Sequence, residues 1–427
     1  MKVLLAFAGS RGDAQPGVLL GRELTGRGHA VTLAVSPNLV GFAERHGVSA
    51  VPCGLDSDES LRAQRDDRRF RHPNPVQRVR AVLDLQRRGF AEAARDLLAL
   101  AGDNEVLVTG MACEEVAAEA AGRHGLPLAA MHFFPIRPNR SVAVLPTAQG
   151  GRLPGPVNRL GWKALTAARA WALAPQIAAL RAEFAGPATP RLPGVPAYTA
   201  IQAYDPALFP GLAEDLGAVP FTGFPVVTER GAGISEELGE WLISGAAPVY
   251  AGFGSMPVTD PVATEAMVRE ACRRLGLRML LVGPQFRGRI AGELAVVDQV
   301  DHRAVLPLCA AAVHHGGAGT TAAVLRAGVP SVICSVQADQ PYWGRQVESL
   351  GLGATAPFTG LNANRLERLL IRATEPSVVL RAAAHGARFR DNGVQSAADV
   401  IESLAPEPES FPAGALDSVS TMIGGVR

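Results

Sequence analysis

Lysine is nearly missing from this chain: only Lys2 and Lys163 occur in 427 residues, and the remaining positive charge is arginine. The absence excludes a Walker-type phosphate loop, which needs a lysine directly after its glycines. An excess of either charge is also lacking, since 41 basic residues meet 40 acidic ones for a net charge of +1. Such a balance gives no global pull toward nucleic acid. The five cysteines form no C-x-x-C pair, which argues against zinc and for buried free thiols in a reducing compartment. Long apolar runs are missing too. Residues 3–8 are too few to span a bilayer, and Arg11 and Asp13 follow them without a signal-cleavage site. A cytoplasmic protein is expected.

What is present is the composition of a globular protein, 48% hydrophobic and 19% charged, long enough for two or more domains. Residues 2–8 form a continuous apolar run that ends in glycine, as a buried parallel strand does. Helical spacing follows from 16 to 25, and a second strand is expected over 29–35. Further strands are expected at 105–108, 128–134 and 199–203, with a helix at 162–184. A second series occupies 249–253, 279–282, 310–313 and 331–335, each run followed by helix-compatible sequence. The alternation specifies an α/β fold of two Rossmann-like parallel-sheet domains that face each other across a cleft. The expected boundaries are 1–221 for the first domain, 222–240 for a linker and 241–385 for the second. A C-terminal helix over 386–405 is expected to pack back on the first domain, and 406–427 reads as a flexible tail.

The densest chemistry lies in 313–353. An apolar strand runs into His314-His315-Gly316-Gly317-Ala318-Gly319-Thr320-Thr321, and a helix follows from 322. Glycines at a strand-to-helix turn let backbone amides approach an anion, and the helix N-terminus favours phosphate. The helix dipole contributes about 0.3–1 kcal/mol, or roughly 2 when partly buried, so charged hydrogen bonds must supply the rest. The dinucleotide fingerprint is absent, and Ser335-Val336-Gln337 stands where its ribose-binding acid would be.

From GSRGDAQP through FTGFP and VYAGFGSM to HHGGAGTT and ADQPYWG, nearly the whole chain resembles the family 1 glycosyltransferases of GT-B fold. Within them it is most similar to actinobacterial enzymes that decorate natural products and glycolipids, and to sterol glucosyltransferases. HFFPIRPN (132–139) is similar to a stretch in enzymes acting on glycopeptidolipids and phenolic lipids. The resemblance implies a UDP- or dTDP-sugar donor and no metal or other cofactor. It matches His315 to the histidine on the donor diphosphate, with Gly317, Ala318, Gly319 and Thr320 supplying amides and a hydroxyl. Gly254 and Ser255 match a second phosphate-facing turn, Asp339 and Gln340 the pair that holds sugar hydroxyls, and Val300 and His302 the loop beside the base. The ribose-binding glutamate of plant members is replaced by Ala323, which leaves UDP and dTDP both open. Each residue also has a purely structural role open to it: Asp339, Ser255 and Thr320 as helix caps, and His314 as a packed strand-end histidine.

Arg11-Gly12-Asp13 spells an adhesion tripeptide, but it follows a buried strand and precedes a helix, so an exposed loop tip is not expected. Asp13 stands instead at the carboxyl edge of the first sheet. The resemblance makes it the general base of an inverting single displacement; the structural alternative is the N-cap of a helix entering at about Pro16. Ser10 and Gly12 beside it, and His132, Phe133 and Phe134 at the end of a strand, are acceptor-side candidates. Phe133 and Phe134 could equally complete the core.

Asp56-Ser57-Asp58 spells the metal-diphosphate motif of another glycosyltransferase fold, yet lies far in sequence from the glycine turn; a capped, solvated loop is expected. Seven arginines between Arg62 and Arg80 face only Asp66 and Asp67, which fits a solvated surface or contact with an anionic membrane or carrier. The expected partners are a nucleotide sugar and a hydrophobic acceptor. A nucleotide-sugar epimerase on the same scaffold, or a donor-binding pseudoenzyme, stays open at this level.

Overall fold

The structure, a computed structural model, describes residues 1–405 except 73, 147–150, 152, 185–188, 191–196, 228–233, 255–257 and 259. Ser255, part of the expected linker and the expected tail lie outside the described residues.

The first sheet contains β1 (Lys2–Ala6), β2 (Ala30–Val35), β3 (Ala50–Pro52), β4 (Val106–Gly110), β5 (Leu128–His132) and β6 (Tyr198–Gln202). Its order is β3-β2-β1-β4-β5-β6, and every pairing is parallel. The central strands are buried along their length because helices cover both faces, which is why they read as unbroken apolar runs. The second sheet contains β7 (Val249–Gly252), β8 (Met279–Val282), β9 (Arg289–Ala291), β10 (Leu294–Val297), β11 (Ala311–His314), β12 (Ser331–Ser335) and β13 (Gly353–Pro357). Its order is β13-β12-β11-β7-β8-β10-β9, parallel except for the edge strand β9. Both are doubly wound α/β sheets.

Several helices begin earlier than the sequence pattern specifies. The helix after β1 runs Arg11–Gly26 and carries Pro16 in its interior, and the helix after β11 runs Ala318–Arg326. The long helix expected from 162 begins at Gly155, and a helix begins at Glu236, inside the span expected as linker.

One apolar cluster belongs to neither sheet alone. Phe134, Trp162, Tyr204, Phe209 and Phe224 pack around Trp343, which follows β12 and is completely buried. Tyr342 adds a hydrogen bond from its hydroxyl to the Val144 carbonyl at 2.7 Å. The C-terminal helix Gly393–Glu402 returns to the helix Arg11–Gly26 and buries Ala397, Ala398 and Ile401 in the first core. Arg27 binds Asp399 at 2.6 Å and Glu402 at 2.8 Å across that contact.

Candidate active site

Each sheet reverses its winding once. In the first the reversal falls between β1 and β4, and in the second between β7 and β11. Ligands of such sheets bind outside the strand carboxyl ends at that crevice. Asp13 follows β1; Gly254 follows β7 and His315 to Thr320 follow β11. The candidate residues therefore stand at the two reversal points.

Asp13 is the third residue of its helix, and Ser10 is the N-cap. The expectation of an Asp13 N-cap near Pro16 is corrected: the carboxylate reaches back and accepts from the Ser10 backbone N–H and hydroxyl, each at 2.8 Å. This is the reciprocal arm of a capping box. Gly9 has φ +141°, and a Cβ there would lie 2.6 Å from Asp13 Oδ2, so glycine permits the close approach. Burial raises the Asp13 pKa, and the two Ser10 donors oppose the rise. Gly12 is exposed on the same first turn, and Pro16 has no N–H to offer its carbonyl.

At the other reversal point, His315 lies between two glycines. A Cβ on Gly254 would stand 2.9 Å from its ring, and one on Gly317 2.6 Å from Nε2. Burial lowers the His315 pKa to about 4, with the Gly252 backbone opposing the fall, so the imidazole is neutral near pH 7. Among the described residues its Nδ1 is buried without a hydrogen-bond partner, and so is the Thr321 hydroxyl in the first turns of the helix that follows. Buried polar atoms are paired in the great majority, so two orphans at one turn mark a place built for a ligand. The helix here has Gly317 at its N-cap, with no side chain to satisfy the first amides, which belong to Ala318, Gly319 and Thr320. Thr320 lies inside the helix and is not its cap. His314 is fully buried: Nδ1 accepts from the Gly316 N–H at 3.2 Å and Nε2 lies 3.3 Å from Ser331 Oγ.

Asp339 occupies the N-cap position of the helix Gln340–Ser349 but makes no capping hydrogen bond. Its Oδ2 accepts from the indole N–H of Trp343 at 3.0 Å. Burial raises its pKa to about 6, and the negative charge of Asp13 adds to the rise. The two carboxylates, one from each half, thus share one electrostatic neighbourhood. Ala338 before it is left-handed, φ +54°, a conformation that only glycines otherwise adopt among the described residues. Gln340 turns its Oε1 back to the Val336 and Gln337 amides at 2.8 and 3.2 Å; the amide NH2 is what it can present to a ligand.

Other candidates are placed differently. His302 is held by Tyr250, whose hydroxyl lies 2.8 Å from Nε2, and burial lowers its pKa. Arg11 from the first half adds to that lowering and so reaches the same cleft. Val300 packs partly into the core below. His132 and Phe134 are corrected as acceptor-lining residues. His132 is buried, with Nε2 3.0 Å from Glu114 and Nδ1 3.4 Å from Gln202, and Phe134 is buried against Tyr342 with ring centroids 4.6 Å apart. Phe133 alone of the three keeps partial exposure. Asp56 caps the helix Ser57–Asp66 by accepting from Asp58 and Glu59 amides. Sequence reasoning passed over Thr321, Trp343 and Arg11, although all three lie within the motifs it quoted.

Two facing Rossmann-like halves, with an uncapped glycine turn in one and a carboxylate in the other, are the architecture of a GT-B glycosyltransferase. A family model described as erythromycin biosynthesis protein CIII-like, C-terminal domain, matches residues 285–403. An uncharacterised glycosyltransferase of Mycobacterium bovis is 37% identical over 422 residues, covering 95% of this chain and 99% of its own. The O-mycaminosyltylonolide 6-deoxyallosyltransferase of Streptomyces fradiae is 31% identical over 435 residues, covering 95% and 98%. The crystal structure of the glycosyltransferase VinC in complex with dTDP superposes with a TM-score of 0.66 at 21% identity, covering 95% and 99%, and speaks to the fold. The chain belongs to this family of GT-B natural-product glycosyltransferases.

Proposed function

We propose that the protein transfers a sugar, with inversion, from a UDP- or dTDP-sugar to a hydroxyl of a hydrophobic acceptor such as a polyketide, macrolide, glycolipid or sterol-like product. The observation that carries the proposal is the pair of buried atoms at the glycine turn, His315 Nδ1 and Thr321 Oγ1, unpartnered among the described residues, in the same half as Asp339, whose pKa Asp13 helps to raise. Asp13 accepts the proton of the acceptor hydroxyl while that oxygen attacks the anomeric carbon. The bond to the diphosphate oxygen breaks on the opposite side, and its electron pair stays with the leaving group. His315 and the amides of Ala318, Gly319 and Thr320 meet the charge that develops there, and such preorganised donors usually supply the largest catalytic effect. Asp339 and Gln340 hold sugar hydroxyls. Those protein donors support a reaction without a divalent ion.

Of the two nucleosides, dTDP is favoured by the structural likeness to a glycosyltransferase solved with dTDP. Five free, buried cysteines support a reducing, cytoplasmic setting. The exposed Arg62, Arg68 and Arg80 suit an anionic carrier or membrane beside the acceptor side. The test incubates purified protein in EDTA with UDP- and dTDP-sugars and a panel of lipid-like and polyketide acceptors, read by mass spectrometry. Glycoside formation by the wild type, lost in Asp13→Asn with donor binding intact, is expected. Equal transfer by both proteins would reduce Asp13 to a capping residue.

A further inference from the structure

The helix Gly155–Glu183 turns an apolar face away from the core. Its buried side carries Asn158, Trp162, Ala172, Leu173 and Leu180. Val157, Leu160, Ala164, Ala168 and Trp171 recur at three- and four-residue spacing on the opposite side, and all are exposed. Leu160 is 67% and Trp171 76% exposed. An amphipathic helix normally points such a stripe inward; here a second one faces outward over about four turns.

Charge identifies what covers it. The helix carries Arg159, Lys163, Arg169 and Arg181; Arg169 and Arg181 are paired with Glu115 and Glu119 of the helix Glu114–His124, so the basic flank is Arg159 and Lys163. Arg87 of the helix Pro75–Ala101 donates to the Ala172 carbonyl at 3.3 Å, and Arg95 pairs with Glu183 at 3.1 Å. The two helices therefore run side by side in the same direction, which sets the exposed Arg80 at the Leu160 end. A second copy of the chain laid on this face would bring the same basic residues against one another. An anionic bilayer meets both features: its headgroups attract the basic flank, and its interface accepts leucine and tryptophan.

We infer that the outward face of the helix Gly155–Glu183, centred on Leu160 and Trp171, docks the protein on an anionic lipid surface. The surface lies outside the donor and base machinery and presents the first half, which contributes Asp13, to the bilayer.

The chain carries its own reporter. Trp171 is the one exposed tryptophan of four, since Trp162, Trp241 and Trp343 are each 7% exposed or less. Full-length protein is titrated with vesicles of phosphatidylcholine alone or mixed with phosphatidylglycerol, followed by tryptophan emission and co-sedimentation. A blue shift and pelleting with the anionic vesicles are expected, weakening as added salt shortens the Debye length. Trp171→Ser and Leu160→Ser, both at exposed positions, should lower vesicle binding about tenfold while leaving the thermal midpoint unchanged. Three results overturn the inference: no shift with anionic vesicles, equal binding to neutral ones, or binding unaltered in both variants. A concentration-dependent shift without vesicles, with dimer in sedimentation velocity, also overturns it and assigns the face to a second copy. None of these readouts needs donor or acceptor, so failure here is separable from failure of the transfer reaction.

Discussion

The indole N–H of Trp343 donates to the Asp339 carboxylate at 3.0 Å, and the ring that carries it is enclosed by aromatic residues of the other half. Phe209 and Phe224 stand 5.4 and 5.5 Å from it, centroid to centroid. One side chain therefore ties the packing between the halves to the position of a site carboxylate. Trp343→Phe keeps most of the ring and removes the N–H. That donor lowers the Asp339 pKa, so its loss should raise the value further above about 6. If the ionised form holds the sugar, the acid limb of the kcat/KM profile moves to higher pH. An unshifted limb would mean the bond has no role in the reaction.

Asp339→Asn separates stability from function. Its folded pKa is raised, so the ionised carboxylate stabilises the fold less than it would in water. That deficit is absent below about pH 4 and complete above about pH 6. Asparagine can still accept the indole N–H. The variant should be more stable than the wild type by about 1–3 kcal/mol at pH 8, and by nothing at pH 4. Denaturant titrations at the two pH values measure the difference, and transfer activity should fall in the same protein.

Ser10→Ala removes the hydroxyl that donates to Asp13 but leaves the backbone donor in place. Less stabilisation of the ionised form raises the Asp13 pKa, so the rate below neutral pH falls while the plateau at high pH is retained. Asp13→Asn should instead lose about 10²–10⁴ in kcat at every pH. Isothermal titration with dTDP or UDP checks that donor affinity is unchanged in both.

Much of the fold was legible in the sequence because the buried strands are short apolar runs ending in turns. β3 and β13 were not: Ala50–Pro52 is three residues long, and Gly353–Pro357 is mostly glycine, alanine and proline, so each offers only one β-branched residue. The antiparallel β9 and β10 close around Gly292 at φ +55°, a tight turn inside what reads as loop. The glycine turn and the two aspartates were visible because glycine and charge stand out against apolar neighbours. Phe134 and His132 were misplaced because burial by a distant segment leaves no local sign; the residues covering Phe134 include Tyr342, more than two hundred positions onward.

Gly254→Ala and Gly317→Ala test the space around His315. At Gly254 the backbone has φ +60° and an added Cβ meets the ring at 2.9 Å; at Gly317 the contact would be 2.6 Å. Both substitutions must displace the imidazole or the turn. Gly319→Ala is the control, because nothing lies within 4 Å of its added Cβ. Donor affinity should fall at least about tenfold for the first two, equivalent to about 1.4 kcal/mol, and remain near wild type for the third. A uniform loss at all three would implicate the helix terminus rather than the histidine.

His315 itself should take up a proton when the donor binds. In the free protein burial holds its pKa at about 4, so it is neutral over most of the working range. A diphosphate placed against the ring favours the charged form and raises that value. Calorimetric titration of dTDP near pH 5.5, in two buffers of different ionisation enthalpy, should reveal net proton uptake that fades by pH 8. Asp339 would also gain protons beside a new anion, so two variants are needed to assign the source. Uptake that persists in Asp339→Asn and vanishes in His315→Gln locates it on the imidazole; the reverse pattern would move the titrating group to the carboxylate and leave His315 a neutral donor throughout.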